Sequence, residues 1–443
     1  MIGISDGAVL QRGKDGTCDI YLIGQMQRLS YEGAACGEAA LSSAENGRIR
    51  VTGIPTGGPY TVRLDDQVLH DIYVGDIWIL AGQSNMEGNG IYRESDRTQL
   101  SDSMVRAFYM TGQWGTAAHP LHTPWKAADR IHRELSGLDE SGSSYRGVGP
   151  GLMFAQQMKR ITGVPQGLLC CAHGGTTLEQ WSPALADEGE NSLLGSLLKT
   201  VERCGGRAAG LFWYQGCSEA MSGYGKPVEE FSERTLALFR LMRDRLDSEL
   251  PIVQAQISRM VSCFTEDSDL CFTMVREQQR RMKTQIQRLA VIPTVTEELD
   301  DLVHLSAAAQ DSVGYRAANA MAQLLYPGRA KLLPPPEYRS CWIDREPDTS
   351  AAILRVYYDH IDGGLRAEGR AVGFRVGDTP YGNDNRLIFS IRPQDDHVAV
   401  YLTAAPEDLK GKYLCYGAGA DPVCNIFDGA GRPLPAMAGI LLK

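Results

Sequence analysis

Two short segments far apart in the chain hold residue types that together can hydrolyse an ester. In the first, Ile77-Trp78-Ile79-Leu80-Ala81 runs into Gly82-Gln83-Ser84-Asn85-Met86-Glu87-Gly88, so an apolar run stops at a polar, glycine-flanked turn. A serine at the end of a strand can present both its hydroxyl and its backbone amide to one substrate oxygen, and doubly wound sheets bind ligands outside the carboxyl ends of their strands. The second segment is Asp301-Leu302-Val303-His304, directly before an apolar helical stretch. An imidazole within about 3 Å can take the serine proton, and a carboxylate three residues earlier can fix its tautomer. The pattern offers Ser84 as a candidate nucleophile, His304 as a candidate general base and Asp301 as its candidate orienting acid. Taken singly, the same residues also read as a helix cap and as surface chemistry among 8 histidines and 54 acidic residues.

The elements that must position them alternate. From about residue 74, strand-like runs at Asp76 to Ala81, Gly167 to Ala172, Ala208 to Tyr214, Ile252 to Ile257 and Leu289 to Val295 are separated by helical stretches, as a parallel sheet with helices on both faces requires. Pro150 and Gly151 precede a helix over Leu152 to Ile161, and Pro227 opens one over Val228 to Leu246. Ser306 caps one over Ala307 to Leu325. Residues 1–73 show short apolar runs between turns, the texture of a small β-rich domain. After Leu332-Leu333-Pro334-Pro335-Pro336 the helical texture gives way to Ala352 to Tyr358, Ala371 to Val376, Leu387 to Ile391 and His397 to Leu402. The expected division is therefore a β-rich domain over 1–73, an α/β domain over 74–330 and a second β-rich domain over 337–443.

With 443 residues and a net charge of -10, the chain is built of several domains and argues against a nucleic-acid partner. Its nearest basic cluster, Arg276, Arg280, Arg281 and Lys283, has helical spacing and reads as a solvated helix face. The N-terminus lacks a basic lead followed by an apolar stretch, and no run is long enough to span a membrane. Eleven cysteines, an odd number, with Cys170 and Cys171 inside a strand-like run, favour a reduced, cytoplasmic protein. No metal site is expected, and His119-Pro120-Leu121-His122 reads as a surface loop.

The segments ILAGQSNMEG (Ile79 to Gly88), AHGGTTLEQW, WYQG and DLVH together resemble the sialate O-acetylesterase branch of the SGNH hydrolases, over about residues 74–328. The resemblance implies a flavodoxin-like three-layer α/β/α sandwich and removal of O-acetyl groups from sugars, with no cofactor. It also implies an oxyanion hole made by the Ser84 amide, the Gly174 amide (or Gly175 beside it) and the side-chain amide of Gln215. The residues are compatible with this. Gly174 follows a strand and lets the backbone approach a ligand closely, and the NH2 group of Gln215 can face a developing alkoxide; a tight turn and a helix cap are the plainer alternatives.

Gln83, Asn85, His173, Gly175 and Trp181 are the candidates for substrate contact, although His173 can equally satisfy local backbone and Trp181 can equally hold its loop. The expected partner is an acetylated carbohydrate, a sialic acid or a polysaccharide such as xylan. The flanking β-rich domains would position a polymer, build a homo-oligomer or cover sheet edges. A carbohydrate-binding protein with a degenerate site, or a thiol enzyme using Cys217, are the competing classes. Cys217 is itself a departure, since relatives usually carry a glutamate after the WYQG segment.

Overall fold

One strand joins two parts of the chain. Gln67–Gly82 runs for 16 residues; its first half pairs antiparallel with Gly57–Leu64, and its second half lies parallel between two other strands. The boundary expected at residue 73 therefore falls inside a continuous strand. These features come from a computed structural model, which describes residues 2–92, 102–136, 146–221, 227–261, 266–347, 351–382 and 386–443.

Numbered in chain order, the site-bearing strands of the main sheet are β1 (Gln67–Gly82), β2 (Val105–Phe108), β3 (Trp114–Thr116), β4 (Gln166–Cys170), β5 (Gly210–Tyr214), β6 (Ile252–Gln256) and β7 (Leu289–Pro293). They lie in the order β3-β2-β4-β1-β5-β6-β7. All neighbours in this series are parallel except β2 and β3. The chain builds one side of β1 first and then the other, so β1 is the switch point and the loops leaving β4 and β5 flank its carboxyl end. Every residue of β4, β5 and β6 is buried, as both-face packing of parallel strands demands. On β5, Phe212 meets Phe154 of helix Gly151–Thr162 with ring centroids 5.4 Å apart, and the next residue, Trp213, meets Phe239 of helix Phe231–Arg245 at 6.0 Å. Successive strand residues point to opposite faces, so the two helices pack on opposite sides of this strand.

Smaller antiparallel sheets flank this one. Thr17–Ile23, Arg48–Pro55 and Ala40–Ser43 form one near the N-terminus. Toward the C-terminus, Glu337–Arg345, Ala352–Asp359, His397–Leu402 and Ile388–Pro393 make a four-stranded sheet, and Phe374–Gly377, Tyr413–Tyr416 and Met437–Leu441 a three-stranded one. Buried apolar side chains of the described residues gather into a large central cluster, two smaller ones, one under each flank, and a minor one of Cys415, Ala418 and Ala438. Helix Ala307–Leu325 starts where expected, with Ser306 Oγ accepting from the Ala309 amide at 3.2 Å.

Several elements go beyond the sequence reading. β2 and β3 were not anticipated, nor was helix Leu193–Arg203. Arg276, Arg280 and Arg281 of the basic run lie on helix Glu266–Met282, with Lys283 just past its end, but Arg276 is not solvated. It is 1% exposed and donates to the carbonyls of Ser258 at 2.6 Å and Gly419 at 2.5 Å, which ties this helix to the C-terminal sheets. His122 is likewise buried rather than on a surface loop, with Nδ1 against the Glu87 carbonyl at 2.9 Å. Among the described residues no helix is long and apolar enough to cross a membrane.

Candidate active site

β1 can end where it does only on a glycine. Gly82 has φ +124°, and a Cβ there would sit 2.2 Å from the Tyr214 carbonyl oxygen of β5. The chain then makes one helical turn, Ser84–Glu87, in which Ser84 is partly exposed while Gln83, Asn85 and Met86 are buried. The residues on either side of the serine reach in two directions. Gln83 Oε1 accepts from the amides of Gly216 and Cys217 at 3.0 Å and of Ser218 at 3.3 Å, which fixes the loop leaving β5. Asn85 Oδ1 accepts from the Leu305 amide at 3.0 Å and Gln310 Nε2 at 3.2 Å, and its Nδ2 donates to the Val303 carbonyl at 3.2 Å. Both side chains were expected to touch substrate. Both are instead consumed in joining the Ser84 turn to its neighbours.

The residue held between Val303 and Leu305 is His304. Its Nδ1 lies 2.8 Å from Asp301 Oδ2. A carboxylate acceptor requires the proton on Nδ1, which leaves Nε2 with its lone pair free to act as a base. Asp301 Oδ1 accepts from the amides of Val303 at 2.9 Å and His304 at 2.8 Å, and Arg146 Nη1 donates to Oδ2 at 2.6 Å. Burial alone would raise the Asp301 pKa. The two amides and the imidazole outweigh it and hold the carboxyl well below the usual carboxylate range. Arg146 gave no signal in the sequence, because its partner is 155 positions away.

The loops leaving β4 and β5 carry the expected oxyanion donors. A Cβ on Gly174 would lie 3.5 Å from the Cβ of Ser84, so that backbone does run beside the serine. Its amide donates to Glu87 Oε2 at 2.5 Å. Burial pushes the Glu87 carboxyl up to about 7, against the pull of that one hydrogen bond. Gly175 is exposed, at φ +69° with open space where a side chain would be. Gln215 is fully buried, and its Nε2 donates to the Thr176 carbonyl at 2.7 Å and to Glu219 Oε2 at 3.0 Å. An amide nitrogen has two hydrogens, and both are engaged. Glu219 also takes the Leu178 amide at 2.5 Å, so it braces the β4 loop against the β5 loop.

His173 is buried with its Nδ1 3.0 Å from that of His132, which commits the ring to a histidine pair. Trp181 is 0% exposed, donates to Thr176 Oγ1 at 3.1 Å and packs edge-on against Trp213. It supports the loop and leaves no face for a sugar. Cys217 is buried, and burial followed by the neighbouring Glu219 charge pushes its thiol up to about 12. Among the described residues no group of three or more His, Cys, Asp or Glu is placed to hold a metal.

A serine at the switch point, joined through Asn85 to a carboxylate-bound histidine, is equipped for acyl transfer. The profile of a carbohydrate esterase family, the sialic acid-specific acetylesterases, matches residues 74–323. Over 222 residues the chain is 27% identical to a probable carbohydrate esterase of Arabidopsis thaliana, a match covering 46% of this chain and 76% of that protein. Along 99% of both chains the fold is similar to that of a carbohydrate acetylesterase from Xanthomonas citri, with a TM-score of 0.71 and 19% identity. The profile spans more than half of the chain, which therefore belongs to the sialic acid-specific acetylesterase family of carbohydrate esterases and is a carboxylic ester hydrolase acting on an acetylated carbohydrate.

Proposed function

We propose that Ser84 is the nucleophile, His304 the base and Asp301 its orienting acid in a two-step removal of acetyl groups from a sugar. His304 Nε2 takes the Ser84 proton as Oγ adds to the acetyl carbonyl. The Ser84 and Gly174 amides receive the charge that forms on its oxygen, and the imidazolium then protonates the departing sugar alcohol. Water, deprotonated by the same ring, releases acetate from the acetyl-serine. Each such backbone donor is worth about 3 kcal/mol of transition-state stabilisation. Gln215 acts here by bracing the loops rather than by facing the oxyanion. The observation that carries the reading is the Asp301–His304 hydrogen bond of 2.8 Å on a loop that Asn85 fastens to the Ser84 turn.

The substrate we favour is an O-acetylated sialic acid, in keeping with the family, with acetylated xylan as the alternative sugar. The domain is read as a flavodoxin-like three-layer sandwich of SGNH type, supported by the opposed packing of Phe212 and Trp213, with domains at 1–73, 74–330 and 337–443 supported by the three larger apolar clusters. A cytoplasmic location is supported by the unpaired state of the ten cysteines described.

Acetate release from O-acetylated N-acetylneuraminic acid and from 4-nitrophenyl acetate tests the reading. Ser84→Ala should lose more than about a thousandfold in kcat, and a fluorophosphonate probe should label Ser84. Equal turnover by Ser84→Ala and wild type, or labelling at another residue, would remove the assignment.

A further inference from the structure

The amide that the oxyanion needs is already occupied. Gly174 N donates to Glu87 Oε2, and the site for a Cβ on Gly174 is close to both Glu87 carboxylate oxygens, at 3.3 and 3.6 Å, and to the Ser84 Cβ at 3.5 Å. A backbone amide has a single hydrogen. A carboxylate and an oxyanion cannot both bind it fully, and two negative charges at that separation repel.

We propose that Glu87 is a positioning residue that controls the Gly174 amide: its carboxylate withholds the N–H from the oxyanion, and its protonated carboxyl releases it. The proposal rests on the assignment of Ser84 as nucleophile and Gly174 as donor, and adds to it a protonation requirement at a residue that makes no bond to substrate.

Among the described residues no cation is placed against the Glu87 carboxylate. On its own turn the neighbour is the neutral Ser84. From the segment before helix Arg130–Ser136 comes His122, whose Nδ1 lies against the Glu87 carbonyl, with His119 beside it. From the loop leaving β4 comes His173, backed by His132. Burial pushes His122 and His173 down to about 4 and His132 to about 3, so all three rings are neutral at the pH where an esterase with a histidine base works. Arg146 precedes the segment packed on Gly88, but its guanidinium is given to Asp301. One amide is thus what opposes the desolvation of Glu87, and its carboxyl titrates near neutrality as a result. The sign follows: the protonated, productive form is present below that pH and is lost as pH rises through it. Activity is thus limited on the alkaline side by Glu87.

The test is kcat/KM of the full chain with 4-nitrophenyl acetate from about pH 6 to about pH 8.5, compared among wild type, Glu87→Gln, Glu87→Ala and Ser84→Ala. Wild type should fall about tenfold across the alkaline half. Glu87→Gln, which keeps an acceptor without charge, should be flat there and exceed wild type at the top of the range. Glu87→Ala should be lower at every pH, because the loop loses its acceptor, and Gln should rescue it. A wild-type enzyme with no alkaline fall overturns the proposal without any variant. So does a Glu87→Gln enzyme that keeps the wild-type profile, or one that is folded by circular dichroism yet inactive throughout. If instead Ser84→Ala turns over as fast as wild type, it is the nucleophile assignment that fails.

Discussion

Two carboxylates stand at opposite corners of the serine turn and are treated in opposite ways. Asp301 has two backbone amides, an imidazole and the Arg146 guanidinium as partners, and its pKa is held far below the ordinary range despite burial. Among the described residues Glu87 has one amide, no cation and neutral histidines around it, and burial carries it up to about 7. The chemical group is the same, so the difference lies in what the surrounding backbone and side chains donate. A carboxylate meant to stay charged is surrounded by donors. One whose charge is left unopposed becomes sensitive to pH in the working range, and pairs pushed apart in this way commonly mark divided roles at a site.

The sharpest way to break this contrast is to remove the permanently charged member. Asp301→Ala should lose at least about a hundredfold in kcat/KM, because the imidazole loses both its tautomer lock and the charge that stabilises the imidazolium. The loss should fall on kcat, since no bond to substrate is removed. Steady-state kinetics with one activated acetyl ester will measure it, and a loss below about tenfold would mean that another group orients His304. Against that, the effect of Glu87→Gln is about tenfold and confined to the alkaline limb.

Glu219 sharpens the comparison as a third, intermediate case. It is buried, and its pKa is raised by that burial against the Leu178 amide and Gln215. Glu219→Gln keeps one acceptor oxygen for two donors. Hydrogen bonds to charged groups contribute about 1.5–3 kcal/mol, but the remaining oxygen recovers much of that. The expected loss is about tenfold in kcat/KM, the same at all pH values because no titrating charge faces the oxyanion. A crippled Glu219→Gln beside an active Asp301→Ala would move the orienting acid to position 219.

The Ser84 turn and the Asp301–His304 pair were legible because strand-then-turn and carboxylate-then-histidine are local patterns. What surrounds them was not. Gln83 and Asn85 flank Ser84 and so looked like substrate contacts, yet their partners lie 135 and 220 residues away, at Ser218 and Leu305. Glu87 stands in the segment Ile79 to Gly88 that carries the family resemblance, and nothing local showed that the Gly174 amide, 87 residues on, would donate to it. Arg276 shared the helical spacing of its basic neighbours, and nothing local showed that carbonyls from Gly417 to Ala420 would close over it. β2 has four residues, Val105–Phe108, too few for a period to declare itself. The second half of β1 and all of β5 were visible because burial on both faces writes an unbroken apolar run.

The smallest effect is expected at Cys217, on the β5 side of Ser84. The thiol is buried 3% exposed at the start of the short helix Cys217–Ala220, with its own amide donated to Gln83 Oε1 at 3.0 Å. Burial and the charge of Glu219 push its pKa up to about 12, so it is neutral throughout the working range and supplies neither a nucleophile nor an acceptor of carboxylate strength. The backbone bond to Gln83 survives any substitution that keeps the helix, and alanine is the best helix former. What Cys217→Ala removes is the volume of one sulfur atom, which costs about 1 kcal/mol of stability at a buried site. Its kcat/KM should therefore stay above about a tenth of wild type, a transition-state loss under roughly 1.4 kcal/mol. That measurement also bears on the contrast between Asp301 and Glu87. If Cys217→Ala were as inactive as Asp301→Ala, the β5 side of the serine would hold a reacting group of its own, and the division of labour would no longer be between two carboxylates.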